Sequence, residues 1–376
     1  MGRVLATAVC YYAEQKRAPF FAEGYNNDMS CRAAIIVFAL IFGTSVAHAE
    51  QHALTFVKRI GGGWGNGWGW MSFVSFSPDG TEIAADAPAS PSDMSGNLTL
   101  WSFPGGRLLK QLPGRPDAIS PDWKYYAGSN GVGALTTGKV VISVPHTGYA
   151  LYAFGPSSRL VAESSSDSSG TAARIRVFAL DSAKQVIAFS RLQPSAIAIS
   201  PNGITLASGH WQEIKLWNLR TGERIAVLRG FHRYVDGISF SKNGGLLAAE
   251  DGSDVQVWNV RSRKLVRTIK AVSYESIPVF SPDTRFIAVG AYGEGTVSLI
   301  DIGRGRVIDS ERVSDLGCGS AAFSPNGRYL ITPSTGGLIT WPYDVGGTIR
   351  VFRIRKRWRA MTDDDEHYVY AIVLRP

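Results

Sequence analysis

The chain has 376 residues, a formal net charge of +8, and a composition that is 45% hydrophobic, 11% aromatic and 19% charged. This balance excludes an intrinsically disordered chain and supplies enough apolar surface for a large core. Its 41 glycines imply many turns. Beyond the first fifty or so residues no long apolar pattern of helical period occurs, whereas EIKLWNL (213–219) and DVQVWNV (254–260) alternate apolar and polar residues, so the expected class is all-β.

The N-terminal segment stands apart. From Met29 the chain reads MSCRAAIIVFALIFGTSVAHAE, with Arg32 ahead of an apolar run and the small residues Ala47 and Ala49 flanking His48. This pattern predicts a secretory signal over 29–49, cleaved after Ala49, and therefore a periplasmic or secreted protein. Its apolar run of about 14 residues is short of the roughly 20 that span a bilayer, so no transmembrane anchor is expected. Residues 1–28 read as an upstream extension from a misassigned start, with translation beginning at Met29. Cys10 and Cys31 would leave with this leader, so Cys318 is expected to stand alone without a disulfide.

After a strand-like segment ALTFVKRIGG (53–62) and the run WGNGWGW (64–70) comes SFSPDG, Ser75 to Gly80. Versions of it recur as AISPDW, FGPSSRL, AISPNG, SFSKNG, VFSPDT and AFSPNG. Proline presets φ for a type I turn, Asp or Asn bonds back to the backbone, and Gly accepts positive φ. The turn positions are Pro78, Pro121, Pro156, Pro201, Lys242, Pro282 and Pro325, spaced by 43, 35, 45, 41, 40 and 43 residues. In each unit a short apolar strand precedes the turn and a second strand, a loop, a third strand, a polar turn and a fourth strand follow. Seven four-stranded units of this period predict a seven-bladed β-propeller with antiparallel blades. The second unit is the shortest, with an abbreviated third strand, GALT.

The unit from Ala198 to Phe240, AISPNGITLASGHWQEIKLWNLRTGERIAVLRGFHRYVDGISF, resembles the WD-repeat family of β-propellers through its turn, its LASG strand, IKLW, TGE and the following His232. The resemblance covers about residues 53 to 361. The namesake dipeptide appears only in variants such as Trp101-Ser102, Trp217-Asn218 and Trp258-Asn259. The Asp of the family's buried hydrogen-bond network has no counterpart, since Trp211 and Gly252 occupy its positions, so apolar packing is expected to hold the blades. The propeller is assigned to 50–361 and a tail or extra edge strand to 362–376. Free blade edges require closure. By alignment on the turn, Leu54–Ile60 is expected to close the last blade alongside Thr348–Ile354, with His367–Leu374 as the competing strand.

In this family partners usually bind the face formed by the second-to-third-strand loops and the blade connections. Trp64, Trp68, Trp70, Trp211, Phe231, Tyr234, Tyr274, Tyr292, Trp341 and Tyr343 are expected there, with long loops starting at Asp86, Ser164 and Pro333. Exposed aromatics supply contact area at small entropic cost; the alternative is that they tuck into blade junctions or plug the channel. On the opposite face, Arg261, Arg263, Lys264, Arg304, Arg306, Arg355, Lys356 and Arg357, with Arg359 beside them, form a candidate anion-binding patch, or solvated turns that deter edge pairing. Nucleic acid fits the charge but not the exported compartment.

No nucleophile elbow, phosphate loop, paired-carboxylate motif or metal-ligand spacing is present. LTTGKVV (135–141) is similar to a segment of quinone-cofactor propellers, yet Thr-Gly-Lys is also an ordinary WD-repeat turn. The expectation is a monomeric, non-catalytic platform without cofactor or metal for an unidentified protein partner. A carbohydrate-binding propeller using the Trp/Gly loop, and an enzyme with a channel site, are the alternatives.

Overall fold

The computed structural model describes residues 53–60, 73–87, 97–128, 130–144, 150–165, 174–190, 192–270, 276–291, 294–313, 318–334 and 348–355. Its repeating turns share one construction. In Ser77-Pro78-Asp79-Gly80 the Ser77 hydroxyl donates to Asp79 Oδ1 (2.6 Å) and accepts the N–H of Glu82 (2.8 Å), while the Gly80 N–H donates to the Ser77 carbonyl (2.9 Å). Ser120, Ser200, Ser241, Ser281 and Ser324 make the same two hydroxyl bonds at 2.6–3.0 Å. All six serines are buried. A hydroxyl fully used inside a turn removes the cost of burying it.

In all seven turns the residue after the Asp or Asn position is left-handed, with φ between 49° at Ser158 and 73° at Gly80. Four are glycines; Trp123, Ser158 and Thr284 adopt the conformation with a side chain. The close approach of neighbouring turns explains the preference for glycine. A Cβ on Gly80 would stand 3.3 Å from Pro325, and one on Gly203 3.4 Å from Pro156. The proline of one blade thus seats on the turn of the next, and blade 7 seats on blade 1.

Each turn joins the first two strands of a blade. Blade 5 shows the pattern in full: Gly237–Phe240, Leu246–Glu250, Asp254–Asn259 and Lys264–Lys270 form one antiparallel sheet in sequence order. Blades 1, 2, 3 and 6 repeat it, and inner strands of successive blades lie against one another from blade 2 to blade 7 and from blade 7 back to blade 1. In blade 4 the second and third strands run as one element, Thr205–Asn218, that bends at Gln212 with φ 61°. In blade 2 the abbreviated third strand, Gly131–Ala134, carries a glycine for a steric reason: a Cβ on Gly133 would lie 2.7 Å from the Tyr126 ring.

The core sits between blades. Ala207, Ile214, Leu228 and Phe231 of blade 4 pack on Ile238, Leu247 and Trp258 of blade 5, and comparable clusters join blades 1 to 2, 2 to 3, 3 to 4, 5 to 6 and 7 to 1. Such stacking explains why a single blade cannot bury its own faces.

The ring closes as the turn alignment predicted. Leu54–Ile60 pairs antiparallel with Thr348–Ile354, from Leu54 opposite Ile354 to Ile60 opposite Ile349, as the fourth strand of blade 7. Leu54 and Ile60 are buried, and the Leu54 N–H donates to Asp309 Oδ2 of blade 6 (2.7 Å). The competing strand, 367–374, and the leader, 1–49, lie outside the described residues. Among those described, no helix is long and apolar enough to cross a membrane, and Cys318 is a free, buried thiol.

Candidate functional site

Blade 4 departs most from its neighbours at the end away from the turns. Its outer strand, Arg224–Tyr234, is the longest outer strand among the described residues and pairs Tyr234 with Trp211 across an irregular register. The two rings meet edge to face, with centroids 4.9 Å apart and planes at 69°. Both remain open to solvent, at 54% exposure for Trp211 and 52% for Tyr234. An edge-to-face pair gains energy beyond its buried area, yet these rings bury little of themselves, so folding leaves much of their apolar surface unused.

The support beneath them is firm. Gln212 Nε2 donates to the His232 carbonyl (3.0 Å), the His232 N–H donates to Asp251 Oδ2 (2.7 Å), and the Val235 N–H donates to the His210 carbonyl (3.1 Å). Asp251 is itself fixed, because Oδ1 accepts the N–H groups of Ser253 (3.2 Å) and Asp254 (3.0 Å). Arg233 is exposed in the same strand, and the exposed His232 imidazole lies 3.8 Å from the Asp254 carboxylate. The result is an aromatic and basic corner on a rigid hairpin.

Phe231 does not join this surface. Expected on the binding face, it is only 4% exposed and packs in the blade 4–5 core against Trp258, with centroids 6.2 Å apart. The outer strand reaches beyond it, and the strand carries its side chain inward while Tyr234 points out. Of the remaining aromatic candidates, Trp64, Trp68, Trp70, Tyr274, Tyr292, Trp341 and Tyr343 lie outside the described residues. Asp86, Ser164 and Pro333 prove to be strand residues rather than loop starts.

Polar contacts supplement the apolar packing expected to hold the blades. In blade 4 the Trp217 indole N–H donates to Ser208 Oγ (2.9 Å), and that hydroxyl meets His210 Nε2 (2.9 Å). A neutral imidazole suits this arrangement. Burial, reinforced by the Lys215 ammonium, pulls the His210 pKa down to about 4. In blade 5 the Trp258 indole donates instead to Gln256 Oε1 (3.2 Å), whose amide donates to the Gly230 carbonyl (2.7 Å). In blade 1 the Trp101 indole donates to Thr99 Oγ1 (3.2 Å). Two of the three indoles thus find a hydroxyl and the third an amide oxygen. Asp251, one residue before the position where an Asp was sought, organises the blade 4–5 corner.

Two buried carboxyls escaped sequence reasoning. Glu163 accepts from Arg176 Nε (2.9 Å) on one oxygen and has no partner on the other. Glu250 is 1% exposed; its Oε2 accepts the Gly252 N–H (2.8 Å) and its Oε1 is unpaired. Burial, with Asp236 and Asp251 adding repulsion, pushes its pKa up to about 8. The available signal was an acidic residue ending an otherwise apolar strand, LLAAE. Among the described residues no cluster of three His, Cys, Asp or Glu side chains is arranged to hold a metal ion.

On the turn face, Arg261, Arg263 and Lys264 of blade 5 are exposed and free of ion pairs among the described residues. Arg304 is held by Asp301 (2.7 Å), Arg306 is also engaged, and Arg355 Nε donates to Thr55 Oγ1 (3.1 Å). Lys356, Arg357 and Arg359 lie outside the described residues. Among the described residues of this patch, those of blade 5 are the exposed cations without an ion pair. No protein-family model matches the chain, and a search of curated proteins finds no match.

Proposed function

We propose that the chain is an exported, monomeric, non-catalytic member of the WD-repeat β-propeller family that serves as a platform for a partner protein. The observation that carries this is the exposed Trp211–Tyr234 pair on the blade 4 hairpin. Large aromatic side chains fixed on a rigid base are the usual anchors of protein interfaces, and a preformed surface binds with little backbone change. The Trp64, Trp68 and Trp70 loop is proposed to extend the same face. Export rests on the signal-like pattern from Met29 to Ala49, and family membership on the repeating Ser-Pro-Asp/Asn-Gly turn and the blade 4 sequence.

The edge-to-face geometry favours a protein over a glycan. One ring presents its edge to the other's face, giving a corner that a side chain can fill, whereas a sugar ring stacks best on a single flat platform. The test is affinity capture from the native exported fraction, with mature protein beginning at Glu50 beside a folded Trp211→Ala/Tyr234→Ala variant. A partner held by the first and lost by the second is expected. Equal retention by both would remove this face from the interaction, and glycan capture lost in the same variant would favour the carbohydrate alternative.

A further inference from the structure

The opposite end of the molecule holds a second opening. A cavity of about 350 Å³ lies at the turn end of the inner strands of blades 5, 6, 7 and 1. It is lined by Phe76, Phe240, Phe280 and Phe323, which end the inner strands of these four consecutive blades; blade 3 has Phe154, and blades 2 and 4 have Ile119 and Ile199, at the same place. The residues just before the phenylalanines are small, Ser75, Ser239, Val279 and Ala322. Small side chains beside large rings leave the space open. Phe76 and Phe323 are buried, while Phe240 and Phe280, packed against the blade 4–5 and blade 5–6 cores, keep part of their surface exposed.

At the rim stands Lys242. It occupies the position filled by proline in the other six turns, it is exposed, and its ammonium has no partner among the described residues. The rest of that turn keeps its geometry, because the Ser241 hydroxyl still bonds Asn243 and the Leu246 N–H. Replacing proline by lysine therefore gives the fold nothing visible and adds a mobile cation to an aromatic cavity. Arg261, Arg263 and Lys264 lie in the other turn of blade 5 at the same end. In the turns of blades 1 and 6 at that end, Asp79 accepts bonds from Ser77 and Thr81, Asp283 from Ser281 and the Arg285 N–H, and Asp301 from Arg304.

We propose that this cavity binds an anionic amphiphile: a small molecule with an aliphatic or aromatic body and one carboxylate, sulfonate or phosphate group. The volume falls within the range of small-molecule sites, which are mostly apolar with a few polar groups fixing orientation. The apolar body lies against the phenylalanines and the anion faces Lys242. The site is independent of the aromatic corner on blade 4.

The test uses the mature chain with 8-anilinonaphthalene-1-sulfonate as fluorescent probe, and decanoate, decanol and anionic phospholipid vesicles as competitors. Saturable binding at one site is expected, with decanoate displacing the probe better than decanol. Lys242→Gln, in an exposed turn, should weaken decanoate roughly threefold to fivefold, the worth of an exposed ion pair, and leave decanol unchanged. Ser75→Trp, which fills the cavity, should abolish both, while Trp211→Ala/Tyr234→Ala should alter neither. Thermal unfolding checks that each variant is folded. Equal affinities for decanoate and decanol in the parent protein, or a decanoate affinity indifferent to Lys242, overturn the proposal. So does competition by vesicles alone, which would make the patch a membrane-facing charge with no ligand pocket.

Discussion

Replacing Glu250 by glutamine should make the protein more stable at alkaline pH while changing little in mild acid. The carboxyl ends the second strand of blade 5, is 1% exposed, and leaves Oε1 without a partner. Asp236 and Asp251 add negative charge nearby, and only the Gly252 N–H and a backbone bond from Ser276 offset it. Its titration moves from the ordinary 4.5 to about 8. Between these values the folded protein keeps a proton that the unfolded chain has released, so stability falls as pH rises through this window and levels off above it. At about 1.4 kcal/mol per pH unit, full ionisation costs at most on the order of 5 kcal/mol. Relaxation and water entry bring an effective figure nearer 3 kcal/mol. Urea unfolding at about pH 7 and about pH 9 reads the last part of this loss, about 1.4 kcal/mol over the one unit up to the folded value, with His210, depressed to about 4, neutral throughout that range. Parent protein should lose stability between the two conditions and Glu250→Gln should not. Parallel losses in both proteins would refute the burial argument and imply that the carboxyl gains a partner when ionised.

Two further outcomes follow from the fold. Leu54→Ala should cost about 2–5 kcal/mol, the range for deleting a buried leucine side chain, and should open the blade 7–blade 1 junction first; amide exchange in Thr348–Ile354 that rises no more than elsewhere would deny the strand its closing role. Thr284→Gly should stabilise by about 1 kcal/mol, since a β-branched residue at φ 61° is strained by roughly 1–3 kcal/mol and glycine returns less than that as unfolded-chain entropy. A lower urea midpoint at unchanged slope would show that the Thr284 side chain earns its place by packing.

The blade count and the closing strand were legible because both depend on one turn whose chemistry is local. Proline, Asp or Asn, and glycine carry that signal whatever surrounds them, and counting from the turn located Leu54–Ile60 as a fourth strand. The serine before the proline was equally visible, yet its role was not, because one of its hydroxyl bonds reaches across the turn to the residue five positions on. Phe231 and Tyr234 look alike in sequence. What separates them is how far the outer strand of blade 4 runs, a tertiary matter settled by pairing with Trp211. The Trp217–Ser208–His210 chain was hidden for a related reason: the strand bends at Gln212 and folds His210 back under the blade, where a search by repeat position expected a loop.

Departures from the repeat carry the most functional information in a molecule of this kind. A residue that recurs in every blade is explained by the blade, as the buried serines and the left-handed turn residues are. A residue that breaks the pattern at some structural gain, as Gly133 does by admitting the Tyr126 ring, is explained by its neighbours. The extension that lifts Trp211 and Tyr234 into solvent, and Lys242 in place of a proline, have neither explanation: each adds exposed chemistry without an evident contribution to packing. Local rules broken without a structural return tend to mark sites under selection for something else. They lie at opposite ends of the propeller, one aromatic and basic on a rigid hairpin, the other a cation over an apolar cavity. The two proposed sites are thus separable, a partner protein on one face and an anionic amphiphile on the other, and substitution at either tests it without touching the other.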